Sequence, residues 1–503
     1  MSDGWVICEL RPDGERRTTR GELGARAARL AAWLDAHGVG AGDSVAYYLE
    51  NSIAVFEIQA ACQLLGAFAV PINYHSTADE TRHVLADSAA RAVITRLAHA
   101  AVVAGASRGL ACDAARLLAG GESAGFSSYE QAIADTSPWS GAPREIPGVV
   151  IYTSGTTGRP KGVRRGPRTP ESMARAALIF AEVCRMGPAP VHLCTGPLYH
   201  AAPVGFANGA LNLGGRLVLF WRFDAEATLA AIERFAVTNV HLVPTMMVRL
   251  LALPDEVKRR YDLSSLVTVQ HAAAPCPPAV KRAMIEWWGP VIEEYYGSTE
   301  TGVSTYIRAA EALQKPGSVG RAIEGVVVEI HDEQGHGVAP GTVGDVFIGN
   351  STVAGFDYHG DAEKRARAMH GELFTCGDVG WLDADGYLFL CDRRADMIIS
   401  GGVNIYPAEI EAALAGHPAV YDAAVFGIPD DEWGEAVHAA IQLVPDARAT
   451  AAEIVVFLGE RLSRFKLPRS IDFVAELPRE PSGKIFKRKL REPFWRGKET
   501  AIG

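Results

Sequence analysis

With 503 residues, 48 % of them hydrophobic and 21 % charged, the chain has the composition of a folded globular protein and the length for two or more packed units. Its formal net charge of -10 disfavours a general nucleic-acid binder, because phosphate backbones reward basic surfaces; a local basic pocket for a small anion stays compatible. Eight cysteines stand singly with no C-x-x-C pair, which disfavours zinc and disulfide frameworks and fits a reducing compartment. No basic segment followed by an apolar run marks a secretion leader, and no stretch reaches the roughly 18–20 apolar residues of a membrane span. Thr500-Ala501-Ile502-Gly503 matches no peroxisomal tripeptide, so the expected location is the cytoplasm.

The first helix is marked by Thr19 and Glu22 as a capping box, with Leu23, Ala27, Leu30 and Leu34 at helical spacing until Gly38. Short apolar runs then alternate with helical stretches. Val45–Leu49 and Ala92–Thr95 read as strands around a helix at Ala54–Leu65, and Arg216–Phe220, Asn239–Val243 and Leu266–Gln270 read as further strands. Such alternation predicts an α/β fold with parallel-rich sheets. Ala100–Gly125, rich in alanine and glycine, reads as a loosely specified surface element. After about residue 315, glycine-punctuated runs such as Val326–His331, Asp345–Ile348 and Tyr387–Cys391 predict a smaller β-rich subdomain. From about residue 396 strands and helices alternate again, opened by Pro407 and the acids behind it, and predict a small α+β C-terminal domain.

The most informative segment is Val149-Val-Ile-Tyr-Thr153-Ser154-Gly155-Thr156-Thr157-Gly158-Arg-Pro-Lys161-Gly162. An apolar strand runs into hydroxyl residues, glycines and a lysine. Glycines let backbone N–H groups approach phosphate oxygens, hydroxyls donate further hydrogen bonds, and the lysine supplies charge. It is not a Walker A loop, since Gly162 follows Lys161, and Pro160 argues against a helix starting at once.

Further motifs follow in order. In Glu294-Tyr-Tyr296-Gly297-Ser-Thr299-Glu300-Thr301, Tyr296 offers a ring to a base, Thr299 a donor to phosphate or carboxylate oxygen, and Glu300 the hard anionic oxygen that Mg²⁺ prefers. Phe374-Thr-Cys376-Gly-Asp378 sets an aspartate beside glycine, and Asp392-Arg393 lies downstream. Leu477-Pro-Arg-Glu-Pro-Ser-Gly-Lys484-Ile-Phe-Lys-Arg-Lys489 carries a lysine on a glycine-flexed loop, able to bridge two anions.

Taken together, and spanning nearly the whole chain, these motifs resemble those of the adenylate-forming (ANL) superfamily, of acyl-CoA synthetase (fatty-acid–CoA ligase) type. The resemblance implies ATP, Mg²⁺ and coenzyme A as cofactors, a small-molecule carboxylic acid as substrate, and a second copy of the chain as a candidate partner. It assigns Lys484, Thr299 and His200 to catalysis and Glu300 to the metal. It assigns Thr153, Ser154, Gly155, Thr156, Thr157, Gly158, Lys161, Ala273, Tyr296, Gly297, Asp378, Arg393, Gly401 and Gly402 to cofactor binding, with Asp378 and Arg393 on the ribose. It also implies an N-terminal adenylation domain, 1–394, and a mobile C-terminal domain, 395–503, whose rotation exchanges Lys484 for the Gly401-Gly402 loop between the two half-reactions. Cys376 stands where the family usually has threonine, and Ala395 where the hinge usually carries lysine or aspartate.

Gly196-Pro-Leu-Tyr-His200-Ala-Ala-Pro-Val-Gly205 resembles the segment lining the acyl pocket. It holds no aspartate, so an α-amino acid is disfavoured: its buried ammonium would lack a partner. Small residues here and at Ala272–Ala274 leave room for a medium or long chain or a bulky ring, with Met246, Met247, Tyr295 and Val303 as an adaptable wall. The cluster Arg159, Lys161, Arg164, Arg165, Arg168 reads either as a contact for coenzyme A phosphates or as solvated surface. Loading of a carrier protein and a luciferase-like oxygenase are the competing readings of the same motifs.

Overall fold

The computed structural model describes residues 4–142, 144, 145, 147, 149–153, 160–166, 169–353, 355–358, 362–401, 403–430, 432–479 and 485–496. Its largest sheet begins as a parallel ladder in the order Trp5–Arg11, Arg216–Phe220, Val191–Cys194, Asn239–Leu242, Thr268–His271 and Ile292–Ser298. The central strands are buried on both faces, which is why they read as unbroken apolar runs. Helices Ala201–Asn212, Ala225–Phe235, Pro244–Leu251 and Pro278–Trp288 connect them. In such sheets the turns beyond the strands' carboxyl ends form the binding crevice. Here those turns carry Tyr199 and His200, Val243, and Ala272–Cys276.

A second parallel sheet runs Phe68–Pro71, Ser44–Tyr48, Ala90–Thr95, Arg116–Leu118 and Ser127–Ser128. Helices Arg20–Ala36 and Ile53–Leu65 join the two sheets through one core that includes Ile7 and Leu217 from the first and Tyr47 and Ile94 from the second. The Thr19–Glu22 capping box is formed. Ala100–Gly125 is not a loose surface element: Val103, Ala106, Cys112, Leu117 and Leu118 are buried, and Arg116–Leu118 adds a strand beside Ala90–Thr95. Alanine there serves close packing, which composition alone does not distinguish from looseness.

The β-rich region after residue 315 is hydrogen-bonded into the large sheet. Gly302–Ile307 pairs with Ser318–Ala322, which pairs with Leu388–Arg393, then Asp378–Leu382 and Gly344–Asn350. A separate three-stranded sheet joins Phe356–Tyr358, Lys161–Arg165 and Ile151–Thr153. Beyond residue 397, Val420–Asp430 and Gly434–Leu443 form a long antiparallel pair. Helices Pro407–Leu414 and Ala451–Gly459 close a core of Ile398, Ile405, Ile410, Val425, Ile441, Ile454 and Leu458. Among the described residues no helix is long and apolar enough to cross a membrane.

Candidate active site

One cleft of about 3140 Å³ gathers side chains from all these regions. Single small-molecule pockets hold roughly 300–1,000 Å³, so this one has room for a nucleotide together with an acyl group. His200, Ala273, Tyr296, Gly297, Thr299, Glu300, Asp378 and Arg393 all line it. Ser154, Gly155, Thr156, Thr157, Gly158, Gly402 and Lys484 lie outside the described residues.

At one end of the cleft the Tyr296 hydroxyl donates to Asp378 Oδ2 at 2.6 Å, and Arg393 Nε stands 3.4 Å from Asp378 Oδ1. The register places Asp378 directly opposite Arg393 on neighbouring strands. Burial, then the Asp378 carboxylate, pushes the Tyr296 hydroxyl well above its ordinary range. Burial opposes the Arg393 charge, and Asp378 together with Cys376, Asp396 and Tyr296 outweighs it and raises the pKa. The Asp378 carboxylate is thus held in place as an acceptor, a geometry suited to vicinal hydroxyls. Burial, with Glu300 and Asp378 behind it, raises the Cys376 thiol and keeps it protonated. Ala273 has φ 74°, a left-handed backbone uncommon for a residue with a Cβ, at the turn after Thr268–His271.

The Thr299–Glu300 turn joins Ile292–Ser298 to Gly302–Ile307. Ser298 and Thr301 bond one another across it: the Thr301 N–H donates to Ser298 Oγ at 3.0 Å. Tyr358 Oη donates to Glu300 Oε1 at 2.8 Å. Among the described residues no three of His, Cys, Asp and Glu gather as a closed metal cage. A single carboxylate on a turn fits a cation shared with phosphates, the usual arrangement for Mg²⁺. The flanks of the glycine-rich loop form an antiparallel pair in which Thr153 faces Lys161, so a strand, not a helix, follows Pro160. Of the basic cluster, Arg164 stacks over the Phe68 ring at 3.9 Å and Arg165 turns inward to the Thr299 and Glu300 carbonyls. Arg159 and Arg168 are outside the described residues.

At the other end of the cleft His200 caps the helix Ala201–Asn212, and its Nε2 is buried with no hydrogen-bond partner among the described residues. Burial lowers its pKa to about 4, so the ring is neutral. Deeper in, His241 Nε2 meets the Tyr295 hydroxyl at 3.1 Å, with the Phe206 ring 4.9 Å away, and burial again lowers the histidine to about 4. Met246, Tyr295 and Val303 line the cleft. Met247 does not serve as wall; it is fully buried in the core beneath the parallel sheet, because it lies on the opposite face of Pro244–Leu251. His241, Phe206, Phe180 and Tyr358 are not legible as site residues, and Arg165, read from sequence as a coenzyme A phosphate contact or solvated surface, instead bonds the Thr299–Glu300 turn. His241 and Tyr358 reach the cleft through sheet register, and Phe180 and Phe206 through the packing of the helical segments Ile179–Val183 and Ala201–Asn212.

Near the proposed hinge, Gly401 has φ 58° and its N–H donates to the Trp433 carbonyl at 2.8 Å; a Cβ there would meet the Trp433 ring at 2.3 Å. Asp392 accepts from the Ala408 N–H at 2.9 Å, and Lys487 Nζ pairs with Glu411 at 2.9 Å. Burial opposes the Lys487 charge, and the carboxylates of Glu411, Asp392 and Asp396 outweigh it and raise the pKa. Arg479 and Ile485, which flank Lys484 in sequence, form an antiparallel bridge.

Residues 4–355 match the model of the AMP-binding enzyme family and residues 409–484 that of the AMP-binding enzyme C-terminal domain. A feruloyl-CoA synthase of Amycolatopsis sp is 36 % identical over 96 % of this chain and 95 % of its own. A fatty acid–[acyl-carrier-protein] ligase of Streptomyces coeruleorubidus is 32 % identical over 97 % of this chain and 93 % of its own. Among solved structures, ATP-bound MatB from Rhodopseudomonas palustris superposes with a TM-score of 0.86 at 28 % identity, covering 99 % of this chain and 97 % of that one. The chain belongs to the AMP-binding enzyme family, the adenylate-forming superfamily, and is of acyl-CoA synthetase type.

Proposed function

We propose that the protein is an acyl-CoA synthetase that joins a carboxylic acid carrying a medium or long chain or a bulky ring to coenzyme A. A carboxylate oxygen attacks the α-phosphorus of ATP, pyrophosphate leaves, and the acyl carbon of the acyl-AMP is then attacked by the thiol sulfur, releasing AMP. The observation that carries this reading is the Asp378 carboxylate locked between Tyr296 and Arg393 in the same cleft as Thr299, Glu300 and His200. Asp378 holds the ribose, the Tyr296 ring faces the base, and Thr299 with the Thr153–Lys161 loop holds phosphate oxygens. Mg²⁺, when bound, neutralises phosphate charge; Glu300 offers it a carboxylate. His200, neutral and with its Nε2 free of a hydrogen-bond partner among the described residues, shields the acid from water, and Lys484 draws the two anions together.

The division at 394/395 belongs to the same proposal. It is supported by a C-terminal core drawn wholly from residues beyond 397 and by the Lys487–Glu411 charge cluster beside Asp392 and Asp396. Ala395→Pro is expected to abolish thioester formation while sparing much of acyl-AMP formation; equal loss of both half-reactions contradicts a hinge at this point.

The testing experiment is pyrophosphate release with ATP and Mg²⁺ over fatty, aryl, polycyclic and amino acids, each with and without coenzyme A. Sustained release that needs one acid class and coenzyme A is the expected outcome. Release dependent on a carrier-protein thiol instead supports the second reading, which the similarity to a carrier-protein ligase favours. Activity with amino acids alone overturns the pocket argument.

A further inference from the structure

The flank of the glycine-rich loop and the Thr299–Glu300 turn are 134 residues apart in sequence, yet two side chains tie them together. Arg165 Nη2 donates to the Thr299 carbonyl at 2.8 Å and to the Glu300 carbonyl at 3.2 Å. Tyr358 Oη donates to the Glu300 carboxylate at 2.8 Å. Both side chains belong to one small sheet, in which Tyr358 pairs with Val163 and Phe356 with Arg165. Lys161, at the loop's exit, begins the strand that carries Arg165. Sheet register therefore fixes the spacing between Lys161 and both tethers. The sheet is itself anchored, since the Tyr152 hydroxyl donates to Asp87 at 2.7 Å and the Arg164 guanidinium stacks on Phe68.

We propose that Arg165 and Tyr358 are positioning residues that lock the Glu300 carboxylate and the Thr299 backbone against the strand that begins at Lys161, so that cation and phosphates are met in one preset geometry. The inference rests on the assignment of Glu300 to Mg²⁺ made above. A carboxylate on an untethered turn rotates among several orientations. The Tyr358 hydroxyl occupies one of its oxygens and leaves the remaining lone pairs to the cation, and Arg165 holds two consecutive carbonyls of the turn. Tyr358 is buried, with its ring 5.5 Å from Phe356, so Tyr358→Phe removes the donor and keeps the packing.

The test uses the full chain, Mn²⁺ as the probe and α,β-methylene ATP as the nucleotide, with free Mn²⁺ read by electron paramagnetic resonance. Tyr358→Phe is expected to weaken nucleotide-dependent Mn²⁺ binding about tenfold, as loss of a hydrogen bond to a charged group does, while metal-free nucleotide affinity moves less than about twofold. Arg165→Gln is expected to act in the same direction, with Arg165→Lys intermediate, and raised Mn²⁺ restores pyrophosphate release in each. Wild-type Mn²⁺ affinity in both Tyr358→Phe and Arg165→Gln overturns the proposal, as does an equal loss of metal-free nucleotide binding, the mark of a general packing defect. Nucleotide-dependent Mn²⁺ binding that is absent from the wild type, or unmoved by Glu300→Gln, overturns the metal assignment itself, a failure distinct from that of the tethers.

Discussion

At the nucleotide end of the cleft, Tyr296, Asp378 and Arg393 hold one another through charged contacts, and the Thr299–Glu300 turn is tied to a separate sheet. At the acyl end, His200 and His241 stand neutral among aromatic rings and alanines, and the rings fix shape more than charge. An invariant ligand portion rewards fixed charges with preset geometry, because an ion held in place need not reorganise when its partner arrives. A variable acyl portion rewards a low-polarity wall that a few substitutions can reshape without disturbing the chemistry. The contrast explains how relatives as different as a feruloyl-CoA synthase and a fatty acid–[acyl-carrier-protein] ligase share the family's fold.

Substitutions at the two ends therefore separate their roles. The largest effect is expected for Asp378→Ala, which removes the acceptor between Tyr296 and Arg393. At ~1.5–3 kcal/mol per charged hydrogen bond, ATP affinity falls by roughly 10²–10³-fold for every acid tested, measurable by calorimetry. A loss confined to one acid breaks the separation of the ends.

Acid titration reads the other end. A buried histidine lowered from its ordinary value of 6.5 to about 4 leaves the unfolded state binding more protons than the native state between those pH values. Stability is then full above pH 6.5 and falls as pH drops toward 4, by up to about 3 kcal/mol for His241 alone. Urea melts of wild type and His241→Phe check this, the variant losing less stability on the acid side. Because His200 and His241 are both neutral, the rate of adenylate formation should show no inflection near pH 6.5 from either.

His241→Phe also sharpens the division of labour. It is expected to shift the preference among acids by about tenfold, the scale of one pocket contact, while ATP affinity moves less than about twofold. The smallest effect concerns Ala273, held at φ 74°. Ala273→Gly is expected to raise stability by about 0.5–1 kcal/mol in thermal melts, since glycine takes this conformation without strain. A fall in stability would mean that the Ala273 methyl packs more usefully than its backbone is strained.

The difference between the ends also governs what could be read in advance. Tyr296, Thr299, Glu300 and Asp378 sit in short glycine-bearing motifs, where local chemistry requires particular residues in a row, and all four line one cleft. His241 lies in Asn239–Leu242 and Tyr295 in Ile292–Ser298, and the two meet only because a parallel ladder passes through Thr268–His271 between them. Tyr358 carries no local signal; it gains its place from pairing with the strand that follows the glycine-rich loop. Ala100–Gly125 misled for the opposite reason, since alanine-rich composition fits a loose surface and a tight core equally well until burial decides.

The sequence by itself determined the family, the α/β layering and the order of the nucleotide motifs, because periodicity and turn chemistry act over a few residues. Only the tertiary structure decided which polar groups line the cleft, that the β-rich region continues the large sheet, and that Arg165 and Tyr358 reach Glu300. Those are relations between strands distant along the chain, and register, not local composition, sets them.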